Sequence, residues 1–125
     1  MSSDAIAGLL DGKSVMIVED EAFIAMELEY ILGDAGASIV GPVASLETAM
    51  KTAETAEFDV AVLDIMLGRE EVFPLADMLR ERGIGFVFHS AHAEPQRLEK
   101  RYPGVALISK PSSAEQIAQS LAALG

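Results

Sequence analysis

A doubly wound α/β domain, one parallel sheet of five strands with helices on both faces, is the fold class this sequence predicts. Three observations carry it. Five short apolar runs rich in β-branched residues alternate with five longer stretches of helical spacing. The runs are nearly continuous in apolar character, as in strands buried on both faces. The connections are short, and right-handed crossovers then wind the helices onto the two sides of the sheet. The chain of 125 residues is half hydrophobic, which suits one domain with an ordinary core.

The first strand is expected at Ser14–Val18 and the second at Ser38–Gly41, closed by Pro42. The third covers Phe58–Leu63, the fourth Phe86–Phe88 and the fifth Val105–Ile108. Between the first two strands, Glu21–Ala35 reads as a helix with Phe23, Met26, Leu28, Ile31 and Leu32 mainly on one side and Gly33 and Gly36 as stop signals. Leu46–Ala56 follows Ser45, a suitable N-cap. Pro74–Arg82 opens with proline in a first turn and stops at Gly83. Pro95–Tyr102 is a short fourth helix, and Ala114–Leu124 follows Ser112 with Glu115 three residues on, the spacing of a capping box. Residues 1–12 precede the first strand as an extension, either a loose tail or a short helical piece through Ile6, Leu9 and Leu10. The domain proper is residues 13–125, without internal repeats or linkers.

Composition narrows the function. With 20 acidic against 9 basic residues the formal charge is −11, a field that repels nucleic-acid backbones and anionic membranes. The absence of cysteine excludes disulfides, thiolate metal sites and cysteine nucleophiles. No apolar run approaches the roughly 20 residues that span a bilayer, and Met1–Leu10 carries no basic leader, so the cytoplasm is the expected address.

In such sheets the working site lies beyond the carboxyl ends of the strands. Glu19, Asp20 and Glu21 follow the first strand, Asp64 ends the third, His89 and Ser90 follow the fourth, and Lys110–Pro111 follows the fifth. Taken singly these have ordinary readings: Asp20 as a helix cap, Ser90 as a turn residue, Lys110 as solvated surface, and His89 and His92 as surface or packing residues. Together they share one rim. Glu19, Asp20 and Asp64 could hold Mg²⁺, which prefers oxygen ligands. Asp64 could serve as a nucleophile taking a phosphoryl group. Mg²⁺, the Lys110 ammonium and the Ser90 hydroxyl could each meet one of the transferring oxygens.

Four segments in this order and spacing resemble the receiver domain of bacterial two-component response regulators: Val15–Glu21, Val60–Asp64, Phe86–Ala91 and Lys110–Pro111. The resemblance covers residues 13–124 and is similar to short, stand-alone receivers. It implies a flavodoxin-like strand order 2-1-3-4-5. It implies Asp64 as phosphoacceptor, Glu19 and Asp20 with Asp64 as the Mg²⁺ site, Ser90 as the hydroxyl that moves on activation, and Lys110 as the lysine on the phosphoryl oxygen. It also implies a cis Lys110–Pro111 bond. The partners implied are a sensor histidine kinase or a histidine phosphotransfer protein and a downstream protein target, with homodimerisation allowed. Beyond intrinsic phosphorylation and dephosphorylation no enzyme activity is expected.

The chain departs from the family pattern in several places. Leu107 stands where an aromatic switch residue is common. Met66 rather than proline lies two places after Asp64. His89 stands where the stand-alone subgroup carries alanine, and Ser112 replaces the phenylalanine that usually follows the lysine–proline pair. Met66 and His92 hold the positions that the resemblance associates with phosphate lifetime, and Met66 cannot orient an attacking water, so slow to moderate hydrolysis is expected. Other classes fit less well. A pseudo-receiver binding module is at odds with the intact acidic, serine and lysine set. An aspartate-nucleophile phosphatase lacks a second acid two residues on, where Met66 stands. A dinucleotide protein lacks a glycine-rich phosphate loop.

Overall fold

The computed structural model describes residues 6–91 and 93–124, apart from the side chain of Ala114. His92 therefore lies outside the described residues, as do the first five residues of the N-terminal extension. Along the chain come β1 (Ser14–Val18), α1 (Ala22–Asp34), β2 (Ser38–Val43), α2 (Leu46–Thr55), β3 (Val60–Leu63), β4 (Met66–Leu67), β5 (Glu70–Glu71), α3 (Phe73–Glu81), β6 (Gly85–Ser90), α4 (Pro95–Arg101), β7 (Leu107–Ser109) and α5 (Ala114–Ala122). The five long strands form one sheet in the order β2-β1-β3-β6-β7, and every pairing in it is parallel. This is the expected 2-1-3-4-5 order. The additional strands β4 and β5 form a small antiparallel hairpin between β3 and α3.

Alternation along the strands divides the interior into two layers. Met16, Val18, Ala61, Leu63, Phe86 and Phe88 face a core closed by α2, α3 and α4. Val15, Ile17, Val60, Val62, Val87 and Ile108 face the opposite core, closed by α1 and α5. Ile6 and Leu10 of the extension are buried in that second core, and the Leu10 amide donates to the Ala35 carbonyl, whereas Leu9 points outward.

Several local expectations change. Pro42 does not close β2, which runs on to Val43 through a register shift opposite β1. Edge position explains this, because a proline there leaves no ladder partner unmet. β6 extends to Ser90, so His89 and Ser90 lie within the strand and are buried. Helix α1 buries only Ala25, Leu28 and Leu32, while Phe23 and Met26 face solvent at 86% and 63% exposure, joined by Tyr30 at 76%. The cap of α5 is Ser113, whose hydroxyl accepts from the Gln116 amide, and Ser112 has another partner. Ser45 caps α2 as expected, accepting from the Thr48 amide.

Helix α4 has seven residues and is keyed into place by the residue after it. Tyr102 is 1% exposed, with its ring centroid 5.3 Å from Phe88, 5.6 Å from Phe73 and 6.0 Å from Phe86. Its hydroxyl donates to Asp77 Oδ1 at 2.7 Å. Burial first, and then the Asp77 hydrogen bond, push its pKa up to about 12. No helix among the described residues is long and apolar enough to cross a membrane.

Candidate functional site

The carboxyl ends of β1, β3, β6 and β7 converge on one rim, and each delivers a polar side chain to it. Backbone bonds fix the two acidic turns: the Glu19 amide donates to the Val43 carbonyl and the Asp64 amide to the Val18 carbonyl. Glu19 and Asp64 are 2% and 7% exposed, while Asp20 is open to solvent. One oxygen from each of the three lies within 4.8 Å of the others. Asp20 Oδ2 also accepts from the Gly68 amide at 2.9 Å, which ties the β4–β5 turn to the acidic cluster. Gly68 makes that turn with φ +65.

Lys110 answers these carboxylates. Its Nζ donates to Asp64 Oδ2 at 3.1 Å and to Glu19 Oε2 at 3.2 Å, and lies 3.0 Å from Glu19 Oε1. Burial works against the ammonium, but the Glu19 hydrogen bond and the Asp64 charge outweigh it, so the Lys110 pKa is raised. Glu19 is pushed up to about 7, by burial first and then by its hydrogen bond with Asp64, with Lys110 pulling the other way. One lysine thus leaves this crowded acidic group short of positive charge. Glu19 Oε1 is buried without a well-aligned hydrogen-bond donor among the described residues. An all-oxygen set with a buried, under-served carboxylate suits a hard divalent cation.

Ser90 ends β6 on the same rim, and its carbonyl accepts from the Lys110 amide at 2.9 Å. The Lys110–Pro111 bond is cis, as the resemblance implies, and Gly41–Pro42 is cis as well. His89 lies on the other side of β6, its Nε2 3.0 Å from Ser112 Oγ. Burial, and then the Lys110 charge, push its pKa down to about 4, so the imidazole is neutral near pH 7. Met66 on β4 is 41% exposed, and Leu107 on β7 is half-buried against the core that holds Phe88. All five expected residues, Glu19, Asp20, Asp64, Ser90 and Lys110, therefore come to one rim. The Asp20–Gly68 and His89–Ser112 contacts were not foreseen.

The model of the response regulator receiver domain matches residues 15–122. The chain belongs to that family. Among curated proteins this receiver is 30% identical, over 88 residues, to the alkaline phosphatase synthesis transcriptional regulatory protein PhoP of Bacillus subtilis (strain 168). The match takes in 70% of this chain but only 36% of PhoP. Among solved structures the receiver resembles SdrG from Sphingomonas melonis Fr1, with a TM-score of 0.77 and 34% identity, covering 99% of this chain and 98% of SdrG. It also resembles a mutant of the anti-anti-sigma factor PhyR from Bartonella quintana, with a TM-score of 0.79 and 25% identity, covering 98% of this chain and 52% of that one.

Proposed function

We propose that this receiver is a phosphorylation-driven switch in the cytoplasm, taking a phosphoryl group onto Asp64 from a histidine kinase or a phosphohistidine carrier. The observation that carries the reading is the meeting of Asp64 with Lys110 at 3.1 Å inside an acidic cluster short of positive charge. An Asp64 oxygen attacks the phosphorus, the bond from phosphorus to the donor imidazole nitrogen breaks, and its electron pair leaves with that nitrogen. Lys110 follows the developing charge from the carboxylates onto a phosphoryl oxygen. The Ser90 hydroxyl meets a second oxygen and biases β6 and α4 toward the active arrangement. Glu19, Asp20 and Asp64 would hold Mg²⁺, which when bound neutralises charge on the phosphoryl oxygens. Output passes by protein–protein interaction, and no enzyme activity is proposed beyond this chemistry.

The exposed stripe on α1 supports docking of the donor protein. Phe23, Met26 and Tyr30 lie outward at a spacing of three and four residues, and α1 carries Glu27, Glu29 and Asp34 with no basic residue. A partner surface with apolar side chains and basic flanks fits that face.

Incubation with acetyl phosphate and Mg²⁺, read by intact mass, tests the reading. One added phosphoryl group is expected, lost without Mg²⁺ and lost in Asp64→Asn. Label retained in that variant would overturn the acceptor assignment.

A second reading, a protein-binding module that works without phosphate, draws on the likeness to PhyR and on Leu107 in the aromatic position. It requires that Asp64→Asn leave partner capture unchanged, where the first reading requires capture to depend on phosphorylation.

A further inference from the structure

We propose that His89 is a positioning residue for Lys110: through Ser112 it holds the turn that places the ammonium between Glu19 and Asp64. The inference rests on the phosphoacceptor reading and deepens it.

The Lys110–Pro111–Ser112 turn is fastened to β6 at two points. At one end the Lys110 amide donates to the Ser90 carbonyl at 2.9 Å. At the other, Ser112 Oγ meets His89 Nε2 at 3.0 Å. The anchors are neighbouring residues of one strand, and they bracket the lysine. From that base the Lys110 side chain, 13% exposed, reaches both carboxylates.

Open space lies along one side of the turn. His89, Lys110, Pro111 and Ser112 line a pocket of about 400 Å³ that opens between α1 and α5, with Ile24 and Ile117 on its walls. With open space on that side, a turn fastened only at the Lys110 amide is free to pivot about it. Ser112 is available for the task because Ser113 caps α5.

Burial of the imidazole also needs a reason. His89 is 4% exposed, faces the apolar α1/α5 side of the sheet, and leaves Nδ1 without a hydrogen-bond partner among the described residues. A buried polar atom left unsatisfied destabilises a fold, and an apolar side chain would avoid that penalty. What the His89 side chain supplies in return, among the described residues, is the bond to Ser112. The two residues are also two of the chain's departures from the family pattern, and they meet each other.

The test uses the full chain with His89→Ala, Ser112→Ala, the double variant, and His89→Gln and Ser112→Thr as conservative replacements. The first readout is the NMR signal of the Lys110 side-chain Cε and Hε atoms, which needs no phosphorylation. In the alanine variants it moves toward the free-lysine position, and in the conservative variants it stays near the native one. The second is Asp64 phosphorylation by acetyl phosphate with Mg²⁺. Its maximal rate falls about three- to tenfold, the span of one hydrogen bond, with the donor concentration at half-rate unchanged. The double variant loses no more than either single one, because the two residues act as one unit. A native Lys110 signal in both alanine variants would overturn the inference, as would losses that add. If the native chain takes up no phosphoryl group, the phosphoacceptor reading fails, and the lysine signal still decides whether His89 places Lys110.

Discussion

Glu19 is a ligand candidate that has to surrender a proton. Its pKa of about 7 means that near neutrality the buried carboxyl is partly protonated, while a cation requires the charged form. Mg²⁺ affinity should therefore rise with pH toward 7 and level off above it, weakening below 7 by up to about tenfold per pH unit for one displaced proton. Calorimetry in two buffers of different ionisation enthalpy would count that proton, and a pH-independent affinity would remove Glu19 from the exchange. The residues of this rim were legible in the sequence because each follows directly on a recognisable apolar strand. The His89–Ser112 pair was not, because its partners are 23 residues apart on two elements and neither periodicity nor motif spacing joins them. From sequence the fourth strand ends at Phe88, because a polar His–Ser pair reads as a turn, whereas in the fold it runs on to Ser90 at the rim.

Among the helices, α1 departs from expectation in the face it buries. The sequence of α1 is rich enough in apolar residues to suggest a single buried face, yet a helix on a sheet hides only one stripe, and Phe23, Met26 and Tyr30 fall outside it. Replacing Phe23 and Tyr30 together with serine should slow phosphotransfer from a protein donor by tenfold or more. Uptake from acetyl phosphate should hardly change, and an equal loss from both donors would place the defect in the fold instead of the docking face. Helix α4 is short, as expected, and the side chain that secures it lies just past its end. Tyr102→Phe should cost about 1–3 kcal/mol by deleting the hydrogen bond to Asp77, and Tyr102→Ala about 3–5 kcal/mol by emptying the aromatic cluster, both measurable by urea unfolding. If Tyr102→Ala proved neutral, α4 would not depend on this key. The five parallel strands were legible from the alternation of runs, and their order from the resemblance. The β4–β5 hairpin was not, because two-residue strands are too short to show a period.

For the molecule as a whole, the charge of −11 sets a background of self-repulsion. Raising NaCl from 10 to 300 mM should screen it and raise stability by about 1 kcal/mol, a few degrees in melting temperature. Mg²⁺ at equal ionic strength should add more by binding the folded state, and equality of the two salts would argue against a specific cation site. The two margins of the sheet carry a further consequence. On one side β2 is broken in register and contains Pro42, which has no amide hydrogen to offer; on the other β7 is only three residues long. An incoming strand from another chain finds no continuous ladder to extend at either margin, so crowded molecules resist growing into a shared sheet. The architecture thus refuses strand addition while leaving an apolar helix exposed, which directs association toward side-chain recognition and away from backbone templating.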